Sequence, residues 1–253
     1  MIQNASTRVV RFERIDSTNA EARRLAAAGD RGPLWLVAEE QTAGRGRLGR
    51  DWVSEPGNLY ATLLFPLAIG AEASGQLSFV AALAAHDVCS QFVKDGMVSI
   101  KWPNDILIGG AKACGILCEV VSTQPTVVAL GCGLNVAHAP SDTPYPVTAL
   151  ARHGAAPHLP EVFRALAKQL DNRLRQWDGS RGFSATKADW QARAIGLGSQ
   201  ASIISSGNDR TGRFVGLADD GALLLELDSG ERTAVHAGDV RFAELERLRS
   251  ATP

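Results

Sequence analysis

The pattern of the chain changes once, near Gly196, and this change limits what the chain can fold into. Before Gly196, apolar strand segments alternate with longer helical segments. From Ala201 onward, short β segments are separated by turn sequences such as SGND, ADDG and DSG. Turn signals about every ten residues indicate a small barrel or sheet. We therefore predict an α+β domain over residues 1–195 and a small all-β domain over residues 196–253.

The elements of the first domain follow from periodicity and from the residues at segment ends. In STNAEARRLAAAG, Thr18 and Glu21 fit a capping box and Gly29 ends the helix. Apolar runs predict strands over residues 34–40, 58–65, 98–102, 114–121 and 126–131, and helices over residues 76–93 and 160–177. A loop rich in proline, aspartate and threonine is expected over residues 138–146. This order of elements indicates a sheet with helices packed on it.

Composition narrows the class of protein. The 253 residues include 26 Lys+Arg and 27 Asp+Glu, which argues against bulk electrostatic binding to DNA or to an anionic membrane. No apolar run reaches the roughly 18 residues needed to span a bilayer, and the N-terminus lacks the apolar stretch of a signal peptide. Four cysteines without paired CxxC spacing predict reduced thiols and a cytoplasmic protein: Cys89, Cys114, Cys118 and Cys132. Cys114 and Cys118 lie in an apolar strand-like run, so we expect them to be buried core thiols rather than metal ligands.

The segment GRGRLGRDW, residues 44–52, holds three glycines, three arginines and a tryptophan. Because glycines disfavour a helix, these arginines do not form an ordinary solvated helix face. Glycines let backbone N–H groups approach a ligand, arginines supply forked donors for phosphate or carboxylate, and Trp52 offers a face for stacking. We predict an anion-binding loop that is disordered when empty and ordered by its ligand. A mobile, solvated loop is the alternative.

Other anion-binding motifs do not fit the sequence. Gly44-x-Gly46-x-x-Gly49 formally matches the dinucleotide-binding pattern, but that pattern must open a helix. Here RDWVSEPGN follows, with Pro56 and Gly57, so a helix is not expected. The chain has no Gly-Lys dipeptide for a Walker A loop, and no GxSxG or HExxH motif.

Three further segments place polar groups beside strand ends. KWPNDI, residues 101–106, sets a cation, an aromatic ring, an amide and a carboxylate around a proline that stops a strand. Lys112 enters the apolar run ACGILCE; taken alone, such a lysine is most simply a gatekeeper at a sheet edge. GCGLN, residues 131–135, ends another strand with two glycines and an amide, which allows close backbone approach.

Together with STN at residues 17–19, these blocks resemble the biotin protein ligases, also called biotin–[acetyl-CoA-carboxylase] ligases. The matching blocks are STN, QTAGRGRLGRDW, KWPND, KACGIL and GCGLN, in family order over most of residues 10–140. The resemblance implies a class II synthetase-like catalytic domain with a central mixed sheet, and an SH3-like β-barrel at the C-terminus. It also implies that ATP and biotin, with Mg²⁺, give biotinyl-5′-AMP. The biotinyl group then passes to a lysine of a biotin carboxyl carrier domain of acetyl-CoA or related carboxylases.

The resemblance assigns roles to individual residues. It places around biotin Ser17, Thr18, Asn19, Gln41, Arg45, Gly46, Arg47, Lys112 and Gly115. It places on the nucleotide side, or in loop ordering, Arg47, Arg50, Trp52, Asn104, Lys112 and Asn135. Arg47 and Lys112 are the predicted catalytic residues, because the biotin carboxylate and the α-phosphate are like charges that must meet. No metal ligand is assigned, although Asp105 is a candidate to orient the acceptor lysine or a metal.

Several properties stay open at this point. Only about ten residues precede the predicted catalytic domain, so we expect a monofunctional ligase rather than a repressor with an N-terminal helix-turn-helix. The chain is expected to be a monomer or a homodimer, and the C-terminal domain either closes over the nucleotide or helps to dock the carrier. The alternatives are a lipoate or octanoyl ligase, and a non-catalytic ligand sensor built on the same fold.

Overall fold

A computed structural model describes residues 7–154, 156–204 and 209–245. The first sheet has seven strands in the order β1-β2-β3-β7-β6-β5-β4. Its strands are β1 (Arg8–Ile15), β2 (Leu34–Gln41), β3 (Leu59–Pro66), β4 (Val98–Lys101), β5 (Asp105–Ile108), β6 (Ala111–Thr123) and β7 (Thr126–Leu134). β1 and β2 pair in parallel and the other neighbours pair antiparallel, so the predicted mixed sheet is confirmed.

The second sheet contains five antiparallel strands in the order β11-β10-β9-β8-β12. These are β8 (Gln200–Ile204), β9 (Arg210–Leu217), β10 (Leu223–Glu226), β11 (Arg232–Val235) and β12 (Asp239–Phe242). The predicted small β unit at the C-terminus is therefore confirmed, whereas the domain boundary at residue 196 stays a prediction.

The described residues include four α-helices: α1 (Thr18–Ala27), α2 (Ser74–Cys89), α3 (Leu159–Trp177) and α4 (Phe183–Gln191). α1 packs on one face of the first sheet through a small cluster that includes Ala22, Leu36 and Leu64. The other three helices contribute to the large core on the opposite face. Most of the 16 residues of α2 are buried, as expected of a helix that is apolar all round because it lies between the sheet and other helices.

The structure corrects several boundaries. The predicted capping box is wrong: Ser17 is the N-cap of α1 and accepts from the Ala20 amide at 3.4 Å, while the Thr18 hydroxyl donates to Gln41 Oε1 instead. α2 ends at Cys89, before the predicted end of the helix at residue 93, since i→i+3 hydrogen bonds tighten the chain after it.

Three elements escaped the sequence prediction. Strand β1 is mostly exposed and lies at a sheet edge, so no apolar alternation marks it. Strand β5 has only four residues, and helix α4 has nine residues with a weak apolar stripe. None of the helices in the described ranges is long and apolar enough to span a membrane.

The second sheet meets the first at β4. Ile100 exchanges backbone hydrogen bonds with Arg193 and Ile195, just beyond α4. The Trp102 indole, buried after β4, donates to the carbonyl of Gly221 at 3.2 Å. These contacts bring the start of β12 to the same end of the first sheet as the KWPND turn.

Candidate functional site

A cavity opens where the Arg–Gly loop, the β4–β5 turn, β6, β7 and the start of β12 converge. All the residues of the predicted biotin set line it: Ser17, Thr18, Asn19, Gln41, Arg45, Gly46, Arg47, Lys112 and Gly115. Of the predicted nucleotide set, Arg50, Trp52 and Asn104 line it as well. Residues from STN, QTAGRGRLGRDW, KWPND and KACGIL, and the two glycines of GCGLN, therefore line one cavity. The role of each single residue stays a prediction.

The Arg–Gly loop folds as a short hairpin. The Trp52 amide donates to the Gly44 carbonyl at 2.9 Å, and the Gly46 amide donates to the Arg50 carbonyl at 2.7 Å. A Cβ on Gly44 would lie 2.4 Å from the Trp52 carbonyl oxygen, so the close approach of the two arms requires glycine there. Ligand-dependent ordering of this loop stays a prediction.

The loop delivers Arg47 into the cavity. Arg47 is half-buried, and its Nη1 donates to Asn104 Oδ1 at 3.4 Å. Asn104 Nδ2 donates to the Ile116 carbonyl at 2.7 Å, and this bond orients the side-chain amide so that Oδ1 faces Arg47. Burial lowers the pKa of Arg47, although a guanidinium remains charged near neutral pH. A fixed cationic fork therefore faces the cavity beside the β4–β5 turn.

Trp52 lies on a floor made by two glycines. Gly115 of β6 pairs directly with Gly133 of β7. A Cβ on Gly133 would lie 2.5 Å from Trp52 Nε1, and a Cβ on Gly115 would lie 3.0 Å from Trp52 Cζ3. The buried Nε1 has no hydrogen-bond partner among the described residues. Trp52 thus anchors the loop to the sheet, and its predicted stacking on a nucleotide base stays a prediction.

Replacing Gly133 with alanine is expected to release the Arg–Gly loop without unfolding the protein. The added methyl group displaces the indole, whose burial holds the loop on the sheet. Losing about 1.4 kcal/mol of this packing raises the open population of the loop roughly tenfold. Limited trypsinolysis of the ligand-free protein, with peptide mapping, measures cleavage after Arg45, Arg47 and Arg50.

Gly75→Ala is the matched control, because Gly75 lies at the start of α2 and a Cβ there meets nothing within 4 Å. This variant should be cleaved in the loop at the same rate as the unsubstituted protein. Equal cleavage of the Gly133 and Gly75 variants would contradict the anchoring role of Trp52.

A β-bulge turns Lys112 into the cavity. Lys112 and Gly115 both line the cavity although they are three residues apart, a spacing that a regular strand places on opposite faces. Ile106 of β5 pairs with Cys114, whereas the next residue, Leu107, pairs with Lys112, so β6 carries one extra residue. Such a bulge re-aims a side chain. Lys112 therefore lines the cavity from an inner strand of the sheet, so the gatekeeper alternative at a sheet edge is wrong, while its catalytic role stays a prediction.

The Lys112 ammonium is held from several sides. Its Nζ lies 2.8 Å from Asp105 Oδ1, and 5.4 and 5.5 Å from the ring centroids of Trp52 and Tyr145. Its backbone pairs with the segment after Tyr145: the Lys112 amide donates to the Pro146 carbonyl, and the Thr148 amide donates to the Lys112 carbonyl, both at 2.9 Å. The side chain is 16% exposed, so the ammonium is confined to the cavity.

Buried polar side chains form the opposite end of the cavity. Ser17, Thr18 and Asn19 are each at most 6% exposed. Gln41 Oε1 accepts from both the amide and the hydroxyl of Thr18, at 2.9 and 3.0 Å, and its Nε2 donates to Ser54 Oγ at 2.9 Å. The cavity thus has a polar, uncharged end and a cationic end.

The second sheet adds a carboxylate that sequence reasoning missed. Asp239, at the start of β12, lies 3.6 Å from Arg50 Nη2 and 3.9 Å from Lys101 Nζ. Its neighbours Gly238 and Val240 also line the cavity. No local pattern marks Asp239, because only the packing of the two sheets brings it near the Arg–Gly loop.

Asn135 is the predicted site residue that does not line the cavity. It is 2% exposed at the end of β7, where its amide Nδ2 donates to the Thr148 carbonyl at 3.0 Å. Its backbone N–H donates to Ala113 at the bulge. Asn135 therefore orders the segment that pairs with Lys112, and any direct nucleotide contact stays a prediction.

The four cysteines are free thiols: Cys114 is buried as predicted and Cys118 is half-buried, while Cys89 and Cys132 are buried as well. Cys132 lines the cavity, and its Sγ lies 3.5 Å from that of Cys114. Burial raises the pKa of Cys118 to about 12, so this thiol stays protonated near neutral pH. In the described part of the chain, no three His, Cys, Asp or Glu side chains are grouped to hold a metal ion.

Comparisons with known proteins agree with this geometry. Residues 11–135 match the Biotin/lipoate A/B protein ligase family, and residues 196–242 match the Biotin protein ligase C terminal domain. The chain is 40% identical over 242 residues to the biotin–[acetyl-CoA-carboxylase] ligase of Paracoccus denitrificans, covering 90% of this chain and 98% of that protein. It is 38% identical over 236 residues to the ligase of the same name from Mycobacterium tuberculosis, covering 88% and 85%.

A solved structure extends the comparison to the fold. The biotin protein ligase from Aquifex aeolicus in complex with biotin and ATP has a TM-score of 0.80 at 26% identity. The match covers 93% of this chain and 99% of that chain, so both sheets have counterparts in one known architecture.

Proposed function

Because the chain belongs to the biotin–[acetyl-CoA-carboxylase] ligase family, we propose that it joins biotin to a lysine of a biotin carboxyl carrier domain at the expense of ATP. The observation that carries this proposal is the two-ended cavity. One end is polar, uncharged and buried, which suits the ureido ring of biotin. The other end is cationic, which suits a carboxylate beside a triphosphate.

The proposed first step forms biotinyl-5′-AMP. A biotin carboxylate oxygen attacks the α-phosphorus of ATP, a new P–O bond forms, and the bond to the β-phosphate breaks to release pyrophosphate. Arg47 and Lys112 bring the two anions together and stabilise the charge on the transferring phosphoryl group. The chain needs no nucleophile of its own, so alignment and charge neutralisation supply the catalysis.

The proposed second step transfers the biotinyl group. The neutral amine of the carrier lysine attacks the carbonyl carbon of the mixed anhydride, an amide bond forms, the bond from that carbon to the phosphate oxygen breaks to release AMP, and the amine loses one proton to solvent. Asp105 begins β5, directly after the β4–β5 turn, faces Lys112 and is 27% exposed, so an entering amine can reach it. We assign Asp105 to orient that amine.

Magnesium fits the site as a companion of the nucleotide. Mg²⁺ is commonly held by one or two carboxylates together with substrate phosphates. Asp105 and Asp239 are carboxylates of the cavity, each already facing a cation. Bound Mg²⁺ would neutralise phosphate charge, with either carboxylate as its protein ligand.

The C-terminal sheet is proposed to close the nucleotide end of the cavity. Asp239 faces Arg50 of the Arg–Gly loop and Lys101 of β4, so it connects the two units at the place where phosphates would lie. In this proposal, residues 1–195 are the catalytic domain and residues 196–253 complete its site.

The test of the proposal is direct transfer. The purified protein is incubated with biotin, ATP, Mg²⁺ and an unmodified biotin carboxyl carrier domain, and the carrier is weighed by mass spectrometry. We expect the carrier to gain one biotinyl group and pyrophosphate to appear in equal amount. Gain of a lipoyl group, with lipoate supplied beside biotin, would instead indicate a lipoate ligase. Stoichiometric binding of biotin without pyrophosphate release would indicate a ligand sensor.

A further inference from the structure

A chain of hydrogen-bonded side chains runs behind the polar end of the cavity. At one side, a bond to the Arg–Gly loop determines which group in the chain donates and which accepts. The Ser54 hydroxyl donates to the Trp52 carbonyl at 2.9 Å, so Ser54 Oγ accepts from Gln41 Nε2. Gln41 therefore turns its oxygen toward Thr18, whose hydroxyl donates to it. The remaining lone pairs of Thr18 Oγ1 face Thr62 of β3, at 2.7 Å.

Glu119 of β6 sets the direction from the other side. Asn19 Nδ2 lies 2.8 Å from Glu119 Oε2 and 3.3 Å from the Leu117 carbonyl. An ionised carboxylate and a carbonyl can only accept hydrogen bonds, so the amide of Asn19 has one orientation. Its oxygen Oδ1 then faces Thr62, also at 2.7 Å.

Thr62 is thus placed between two acceptors, but its hydroxyl carries one proton. Thr62 is fully buried, while Thr18 and Asn19 are nearly so. Whichever acceptor takes the proton, the other receives none from Thr62. Asn19 is one of the residues that line the cavity, and its Oδ1 fits beside β7 because Gly131 has no Cβ, which would lie 2.2 Å from that oxygen. Buried polar groups need partners, so a ligand N–H completes the chain.

We propose that Glu119, which does not line the cavity, is a positioning residue that makes the cavity select a ligand with an N–H donor at Asn19, beside a Thr62 hydroxyl whose single proton cannot serve both acceptors. This inference rests on the proposed function, in which that donor is a ureido N–H of biotin. Glu119 acts by holding the orientation of the Asn19 amide, and Thr62 acts by supplying one proton for two acceptors. Selectivity for a cyclic urea is thereby fixed from outside the cavity.

The test compares biotin with its two cyclic carbamate analogues, in each of which oxygen replaces one ureido N–H. Binding is measured by titration calorimetry on the full chain. We expect the unsubstituted protein to bind one of the two carbamates at least about tenfold more weakly than biotin, the effect of one lost buried hydrogen bond. Failure to bind biotin at all would reject the proposed function, whereas equal binding of biotin and both carbamates would reject this inference alone.

Glu119→Gln removes the acceptor-only partner of Asn19. An amide at position 119 offers one acceptor oxygen to both Asn19 and Arg23, so only the longer bond to the Leu117 carbonyl, at 3.3 Å, still favours the original orientation of the Asn19 amide. The ratio of carbamate to biotin dissociation constants should fall to within about threefold of unity, the loss of most of one hydrogen bond.

Arg23→Gln is the matched control, because Arg23 pairs with the other oxygen of Glu119 at the surface and leaves its carboxylate in place. That control should keep the ratio of the unsubstituted protein. An equal fall of this ratio in Glu119→Gln and Arg23→Gln would show that the Glu119 carboxylate does not set the orientation of Asn19.

Thr62→Val separates polarity from packing, because valine keeps the shape but supplies no proton. Thr18 Oγ1 and Asn19 Oδ1 then both lack a donor from position 62, so a ligand N–H contributes at least as much to binding as before. The ratio of carbamate to biotin dissociation constants should therefore stay at or above that of the unsubstituted protein. A merely structural role predicts that the ratio falls in Thr62→Val as it does in Glu119→Gln. Such a parallel fall would overturn the proposal, and thermal unfolding of each variant checks that the fold persists.

Discussion

Replacing Lys112 with methionine is expected to slow biotinyl-5′-AMP formation by about a thousandfold or more, at the upper end of what one electrostatic contact supplies. Methionine keeps much of the side-chain length but removes the ammonium that lies between the cavity and Asp105. Without it, the biotin carboxylate and the α-phosphate approach each other unshielded. The measurement is pyrophosphate release with biotin and ATP in the absence of carrier, which isolates the first step.

The single variant leaves Asp105 without its partner at 2.8 Å, and this unpaired carboxylate could itself repel the substrates. The double variant Lys112→Met with Asp105→Asn removes that charge as well. We expect it to fold, to bind biotin by calorimetry and to remain inactive in adenylate formation. Recovery of pyrophosphate release in the double variant would show that Lys112 only neutralises Asp105.

The sequence was sufficient to predict which segments line the cavity, because the Arg–Gly loop, KWPND and GCGLN are recognisable locally and the family resemblance added STN. It was not sufficient to predict how Lys112 reaches the cavity. That depends on the bulge opposite β5, and β5 has only four residues after a proline. The register of such a short strand is set by its neighbours in the sheet rather than by its own pattern.

Contacts between distant segments also escaped prediction. Thr62 lies in the apolar run of β3 and reads as an ordinary strand residue, yet its hydroxyl joins Thr18 and Asn19. Asp239 belongs to the second sheet and reaches Arg50 only after both units have packed. Residue type alone cannot reveal such partners, because hydrogen bonds and ion pairs depend on three-dimensional proximity.

Asn135 shows the reverse limit. The family resemblance implied a role for Asn135 at the nucleotide or in loop ordering, and the structure buries it behind the bulge. A motif block therefore contains both groups that face the cavity and groups that hold the backbone around it. Sequence spacing does not separate the two kinds, since both are polar residues at a strand end.

Replacing Arg47 with lysine is expected to lower kcat/KM for adenylate formation by about a hundredfold, although the charge is kept. The guanidinium is half-buried and bonds to Asn104 Oδ1 with one nitrogen, which leaves its other donors for the two anions in the cavity. Lysine offers a compact ammonium that cannot bond to the amide oxygen and both anions in this fixed fork. Steady-state pyrophosphate release over a range of ATP and biotin concentrations measures the effect.

The control for Arg47→Lys is Arg31→Lys, the same exchange at an exposed arginine between α1 and β2, which should leave kcat/KM unchanged.

Asn104→Ala then tests whether Asn104 orients the guanidinium of Arg47. If Asn104 orients the Arg47 guanidinium, the losses of kcat/KM caused by the two substitutions are not additive. The double variant Arg47→Lys with Asn104→Ala should then be little less active than Arg47→Lys alone. Additive losses would mean that Asn104 acts independently of Arg47. Activity of Arg47→Lys near that of the control would show that position 47 needs only a positive charge.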